Sequence, residues 1–161
     1  MSSQQIRAMI DTNVYALLYM GSHVKVSDLA ESGRLVVYGC KLIRKELREI
    51  PVTIKVDNRS YRNALLGIYD KLAGKHDVPV GEVSQVLAKQ YLKEYKGGSP
   101  MHKIYPDFLI VATATIHNLD LIVSEDEKTM KSTQARIAYG KVNSKTGLRT
   151  PEFTSLAKLT L

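Results

Sequence analysis

The 161-residue chain has no tryptophan, two phenylalanines and one cysteine, Cys40. A single cysteine cannot form an internal disulfide, which excludes a disulfide framework and favours a reducing compartment, the cytoplasm. No apolar run approaches the roughly 20 residues that span a bilayer. Residues 1–5 are polar and lack the apolar core of a signal peptide. We therefore expect a cytoplasmic protein with no membrane partner.

Patterns typical of several other sites are also missing. The four histidines show no metal-ligand spacing, which argues against a zinc site. The segment Gly97-Gly98-Ser99 does not follow a predicted strand, so it does not match a phosphate-binding loop.

Positive charge is in excess: 23 Lys and Arg stand against 16 Asp and Glu, giving a net charge of +7. Such a balance favours a polyanionic partner such as nucleic acid, although a solvated surface that keeps the protein soluble explains it equally well. A length of 161 residues with 44% apolar residues favours one domain spanning residues 1–161.

Apolar runs alternate between strand-like and helix-like patterns. Short strands are predicted at 6–10, 34–38, 52–56 and 120–123, and helices at 12–20, 26–32, 40–50, 60–73, 81–95, 107–117, 134–139 and 153–159. Strands separated by helices predict an α/β fold with a parallel sheet that is covered by helices on both faces.

Four acidic residues occupy positions where the chain otherwise places apolar ones. Asp11 and Asp126 follow predicted strands, so both are expected at the carboxyl edge of the sheet. Asp107 is predicted to open the helix that feeds the strand before Asp126, which places it over the same edge. Glu46 falls on the apolar arc of its helix between Leu42 and Ile50, opposite the basic residues of that helix.

Each acid also has an ordinary explanation. Asp11 and Asp107 could cap the helices that follow them, Asp126 could stabilise a turn, and Glu46 could reach the surface. The predicted convergence of all four favours a joint role. Two carboxylates about 5 Å apart repel by roughly 3 kcal/mol at an effective dielectric near 20, and a divalent cation relieves such repulsion. Oxygen ligands favour Mg²⁺ or Mn²⁺. A basic protein with an acidic metal pocket is typical of a nuclease.

The ordered set of motifs resembles the PIN-domain nucleases over nearly the whole chain. The set consists of Asp11-Thr12-Asn13 after the first strand, a helical Glu46, Asp107 at the start of a helix rich in Ala and Thr, Ser124-Glu125-Asp126 after a strand, and Thr150-Pro151-Glu152-Phe153. The resemblance implies a three-layer α/β/α sandwich and a ribonuclease that uses one or two Mg²⁺ or Mn²⁺ ions. Many such proteins are toxins of VapC-type toxin–antitoxin modules, and others process ribosomal RNA.

The resemblance also implies roles for individual residues. The catalytic and metal-binding acids would be Asp11, Glu46, Asp107 and Asp126. Hydrogen-bonding support around them would come from Thr12, Asn13 and Ser124. A helical clip at about residues 58–97 would contact an antitoxin and the second subunit of a homodimer, while RNA would be the substrate.

Three other functions remain open. The protein could mature ribosomal RNA instead of acting as a toxin, or it could be a non-catalytic RNA-binding module on the same fold. It could also be a different α/β protein with an acidic pocket, such as a receiver domain or a phosphatase of the haloacid-dehalogenase kind. The phosphatase lacks support because Asn13 stands where an Asp-x-Asp pair would need its second Asp.

Overall fold

The computed structural model describes residues 4–159, apart from the side chains of Ser22 and His23, so residues 1–3 of the predicted polar start lie outside the described residues. The strands are β1 (Ile6–Ile10), β2 (Leu35–Cys40), β3 (Lys55–Val56), β4 (Arg59–Ser60), β5 (Asp77–Val78), β6 (Leu121–Val123) and β7 (Glu152–Thr154). Five of them form a parallel sheet in the order β5–β2–β1–β6–β7. The predicted parallel sheet is therefore confirmed.

Helices connect the strands. They are α1 (Thr12–Leu17), α2 (His23–Glu31), α3 (Lys41–Arg48), α4 (Tyr61–Ala73), α5 (Glu82–Glu94), α6 (Met101–Ile116) and α7 (Thr133–Thr146). Right-handed crossovers place α1–α4 on one face of the sheet, because the strand order runs outward from β1 to β5. The order then reverses through β6 and β7, which places α5–α7 on the other face. The expected three-layer α/β/α sandwich is confirmed.

Aromatic rings join the helices to each other and to the sheet. On one face, the ring of Phe108 in α6 contacts Tyr91 of α5 and Tyr139 of α7 edge-on, and Phe153 of β7 stacks on Tyr139. Such contacts add to the hydrophobic burial of these rings. They fix α6, which carries Asp107, against the sheet.

The sheet has a topological switch point between β1 and β6. From β1 the chain adds strands in one direction through β2, and after α6 it adds them in the other direction. The Asp11 N–H donates to the Val123 carbonyl at 2.9 Å, which ties the carboxyl ends of the two strands together. Ligands of open α/β sheets bind outside such a point, and Asp11 and Asp126 both lie there.

The prediction that Asp107 opens its helix is wrong. Helix α6 begins at Met101 and contains Pro106, so Asp107 lies in its second turn and does not cap it. A proline followed by an acid is typical of a helix start. Here Pro106 lies inside the helix, which lacks one backbone hydrogen bond because proline has no N–H. The amino end of α6 still faces the carboxyl edge of the sheet, so the predicted placement of Asp107 survives.

The carboxyl-terminal segment also differs from its prediction. Residues 153–159 were expected to be helical, whereas Glu152–Thr154 form β7, with Phe153 in register with Ile122. The strand forms because the edge of β6 offers backbone hydrogen-bond partners. A segment of only three residues is too short for its sequence pattern to predict this pairing. The predicted strand at 52–56 shrinks to β3, which pairs with β4 across Asp57 and Asn58, both at positive φ.

Helices α4 and α5 confirm the two predicted helices of the clip region. They pack in opposite layers, α4 on α3 and β2, and α5 on α6 and α7. Their role in contacting an antitoxin or a second subunit stays a prediction. Within residues 4–159, no helix combines the length and apolar character needed to cross a bilayer.

Candidate functional site

The four acids gather at the switch point, and a neighbouring hydroxyl holds each of them. Asp11 directly follows β1 and is 5% exposed. Its Oδ1 accepts from the Thr12 N–H at 2.8 Å, and its Oδ2 accepts from the Ser124 hydroxyl at 2.7 Å. Asp11 therefore caps α1 and also joins the ends of β1 and β6, so the capping explanation applies to it and does not exclude a joint role with the other acids.

Glu46 projects from the middle of α3 toward the start of α1. Its Oε2 accepts a hydrogen bond from the Thr12 hydroxyl. Thr12 thus contacts two acids, Asp11 through its backbone N–H and Glu46 through its side chain. Because Glu46 is half-buried and bound, it does not extend to the surface as a free charge.

Asp107 and Asp126 meet at a residue that sequence reasoning missed, Thr129. The Thr129 hydroxyl lies 2.6 Å from Asp107 Oδ2 and also contacts Asp126 Oδ2. The Thr129 hydroxyl therefore bridges the two carboxyl groups. The spacing of Thr129 three residues after Asp126 is typical of a turn closed by side-chain hydrogen bonds, and it was the available signal.

Asp126 also stabilises the turn that follows it, as its position in the sequence suggested. Its Oδ1 accepts from the N–H groups of Lys128 and Thr129 at 3.1 and 2.9 Å. Its own N–H donates to the Ser124 hydroxyl at 3.1 Å, which links the Asp11 and Asp126 pairs. The turn explanation is confirmed, and the same turn delivers Asp126 to the cluster.

Asn13 supports the site indirectly. Its Oδ1 accepts from the Glu125 N–H at 3.3 Å, which holds the segment between Ser124 and Asp126. The Glu125 side chain in turn accepts from the Leu156 N–H at 2.7 Å. Asn13 thus braces the loop after β6, whereas Thr12 and Ser124 touch the acids as expected.

Burial and mutual repulsion shift the protonation of the cluster. Burial raises the pKa of Asp107 to about 7, and the negative charges of Asp11, Asp126 and Glu46 add to that rise. Burial likewise raises the pKa values of Asp11 and Glu46 above their ordinary range. Burial also acts on Asp126, but hydrogen bonds from Thr129 and the turn backbone outweigh it and lower that pKa.

The cluster suits a hard cation in charge and in donor type. It combines four carboxylates with hydroxyl oxygens, and burial raises the pKa values of three of the four acids. Among the described residues, however, no three His, Cys, Asp or Glu side chains are arranged to hold one ion. The Thr129 hydroxyl contacts one carboxylate oxygen of Asp107 and one of Asp126, and it holds these two side chains next to each other.

Several solved structures match nearly the whole chain, each with a TM-score of 0.57. VapBC2 from Rickettsia felis, bound to a DNA fragment from its promoter, is 13% identical over 93% of this chain and 98% of that chain. FitAcB from Neisseria gonorrhoeae is 19% identical over 94% and 99% of the two chains. The chain has the fold of these proteins. FitAB bound to an IR36 DNA fragment matches at 17% identity over 96% and 98%.

This is the fold that the resemblance to PIN-domain nucleases implied. At these identities the likeness establishes architecture, and the chemistry has to be argued from the cluster itself. No protein-family model and no curated protein matches the chain in sequence.

Proposed function

We propose that the protein is a Mg²⁺- or Mn²⁺-dependent endoribonuclease that hydrolyses RNA phosphodiester bonds as the toxin of a toxin–antitoxin pair. The observation that carries the proposal is the convergence of Asp11, Glu46, Asp107 and Asp126 at the switch point of the sheet, each held by a hydroxyl. Four neighbouring carboxylates repel one another and lose hydration on burial. Both effects destabilise the folded protein unless a cation binds between them.

The residues that would hold one or two ions are these four acids. When bound, such an ion supplies Lewis-acid activation and stabilises charge on the attacking and leaving oxygens of a phosphodiester. The chain's own residues prepare the site. Ser124 orients Asp11, Thr12 orients Glu46, and Thr129 keeps Asp107 and Asp126 side by side.

RNA is the proposed substrate because the site motifs resemble those of PIN-domain ribonucleases, and a net charge of +7 suits a polyanionic partner. Lys and Arg attract a phosphate backbone without regard to base sequence. The acids would repel that backbone unless a cation neutralised them. Binding and cleavage are therefore expected to depend on the same ion.

A toxin role is favoured over ribosomal RNA maturation because the solved structures that share this fold include toxin–antitoxin complexes. The matching structures include VapBC2 and FitAB complexes, and the site motifs resemble those of VapC-type toxins. We expect an antitoxin partner and a homodimer, with α4 and α5 supplying the contacts. A small reading frame beside the gene that encodes a DNA-binding protein would support this role, and a purified protein that trims only ribosomal RNA precursors would contradict it.

The test of the active site compares two Asp→Asn variants. Asp107→Asn is expected to lower Mg²⁺-dependent RNA cleavage at least about 100-fold, because it removes a charged ligand from the cluster. Asp28→Asn changes an exposed Asp of α2 and is expected to cleave like the wild type. Full activity of Asp107→Asn would refute the assignment. RNA binding by the wild type without cleavage at any Mg²⁺ or Mn²⁺ concentration would favour the non-catalytic module.

A further inference from the structure

Two basic side chains stand beside the carboxylate cluster, one in the turn after β6 and one near the start of α7. They are Lys128 and Arg136, and both are exposed. The Lys128 N–H donates to Asp126 Oδ1 at 3.1 Å, so Lys128 is joined directly to an acid of the site. We call these two residues the basic rim.

The turn after β6 brings Arg136 to the same place. Arg136 Nε donates to the Lys131 carbonyl at 3.0 Å, and the Lys131 N–H donates to the Asp126 carbonyl at 2.9 Å. Arg136 also lies over the ring of Phe153 in β7, with its Cζ 5.3 Å from the ring centre. Two hydrogen bonds therefore connect the guanidinium to a residue that carries a site carboxylate.

These contacts fix the Arg136 guanidinium and leave its terminal nitrogens available. Within residues 4–159, its partners are the Lys131 carbonyl and the Phe153 ring, and neither Nη1 nor Nη2 has a hydrogen bond or an ion pair. A guanidinium that is held on an aromatic ring loses little conformational freedom when it binds an anion. Its N–H groups match the spacing of two phosphate oxygens.

The acid that lies next to Lys128 in the chain is already neutralised. Glu127 Oε1 lies 2.7 Å from Lys131 Nζ, and the Lys131 side chain is only 2% exposed. Lys131 is therefore committed to Glu127, whereas neither Lys128 nor Arg136 has an ion-pair partner among the described residues. Positive charge that no carboxylate compensates attracts phosphate groups.

We propose that Lys128 and Arg136 bind phosphate groups of the RNA strand next to the bond that the carboxylate cluster cuts. The inference rests on RNA as the substrate of the proposed function and adds residues that hold it. The strand then leaves the cluster across the turn after β6 and the start of α7. Because contacts to phosphate do not read bases, the rim contributes affinity and position but no sequence preference.

The salt dependence of RNA binding tests the rim. Lys128→Gln/Arg136→Gln is compared with Lys71→Gln/Lys75→Gln, which removes the same charge from exposed lysines near the amino end of β5, at the opposite edge of the sheet. Both pairs are made in Asp107→Asn, which is expected not to cut the RNA. Fluorescence anisotropy in Mg²⁺ then measures binding of a labelled single strand of about 12 nucleotides.

Each contact to a phosphate of a single strand steepens the slope of log K against log salt concentration by about 0.7. The rim pair is therefore expected to flatten that slope by about 1.4 and to weaken binding roughly 20-fold at about 0.1 M salt. The Lys71 and Lys75 pair is expected to change affinity by less than about threefold. Equal slopes for the two pairs would overturn the inference.

The possible outcomes separate this inference from the proposed function. RNA cleavage by the wild type together with equal slopes leaves the proposed function standing and removes only the rim. A wild type that neither binds nor cuts RNA overturns both.

Lys128→Gln alone serves if the double variant does not fold, because the Lys128 side chain has no partner within residues 4–159. This single variant is expected to flatten the slope by about 0.7. A slope that stays as steep as that of Asp107→Asn would refute the rim.

Discussion

At the scale of single residues, two acids of the site each have a local structural role and also face the other acids. Asp11 caps α1 and Asp126 closes a turn, and both also face the other acids. Their local hydrogen bonds fix the carboxylates where convergence needs them, so neither role excludes the other. Buried carboxylates that are each held by a hydroxyl are typical of pre-organised ligand sites.

The pH dependence of stability follows from Asp107. Its pKa rises from the ordinary 3.8 to about 7 in the folded protein, so the folded state retains a proton that the unfolded chain has lost in that range. The free energy of unfolding of the metal-free protein therefore falls as pH rises from about 4 to 7, by on the order of 4 kcal/mol, and does not recover above that range. Asp11 and Glu46 act with the same sign.

Urea unfolding in EDTA between pH 4.5 and 8 measures this effect in the wild type and in Asp107→Asn. The variant is expected to show a flatter profile and to exceed the wild type in stability at pH 8, because it has no charge to bury. Asp28→Asn should retain the wild-type profile. Identical profiles for wild type and Asp107→Asn would show that Asp107 is not the group responsible.

Which site residues sequence could predict depended on how they reach the site. Asp11 and Ser124 follow strands directly, so the geometry of a parallel sheet places them, and helical periodicity places Glu46. The role of Thr129 depends on the path of the turn after Asp126, so it could be recognised only in the folded structure.

At the scale of elements, the ends of helices and strands were harder to predict than which side of each is buried. Pro106-Asp107 imitates a helix start, while the true start of α6 at Met101 has no side-chain cap to mark it. Strand β7 is three residues long and exists because β6 offers an edge. The central strands and the long helices were predictable because apolar periodicity marks them along their whole length.

A close approach between β2 and α4 gives a prediction at this scale. A Cβ added at Gly39 would overlap the ring and hydroxyl of Tyr69, a fully buried side chain whose hydroxyl donates to the Cys40 carbonyl and to the Asp77 carboxylate. Gly39→Ala is therefore expected to lower the free energy of unfolding by about 3 kcal/mol. Chemical denaturation measures the change.

The matched control is Gly67→Ala, on the exposed side of α4, where an added Cβ meets nothing within 4 Å. It is expected to stabilise the protein by roughly 0.5–1 kcal/mol, because alanine favours a helix interior more than glycine does. A loss of stability at Gly39 no larger than the change at Gly67 would mean that β2 and Tyr69 are not packed as described.

At the scale of the whole molecule, a basic protein surrounds an acidic centre at the switch point of a parallel sheet. The net charge of +7 would attract a phosphate backbone, and the proposed function requires a cation at the cluster before that backbone can approach. The chain shares its fold with the VapBC2 and FitAB structures, and the antitoxin partner stays a proposal. The central claim of the proposed function is that the carboxylate cluster cuts RNA with the help of a divalent ion.

The most direct measurement incubates the purified protein with total RNA across a range of Mg²⁺ and Mn²⁺ concentrations and maps the fragment ends. Internal cuts that appear with either ion, disappear in EDTA and return when the ion is restored are the predicted result. An RNA pool left intact at every ion concentration, or cut equally well in EDTA, would contradict the claim.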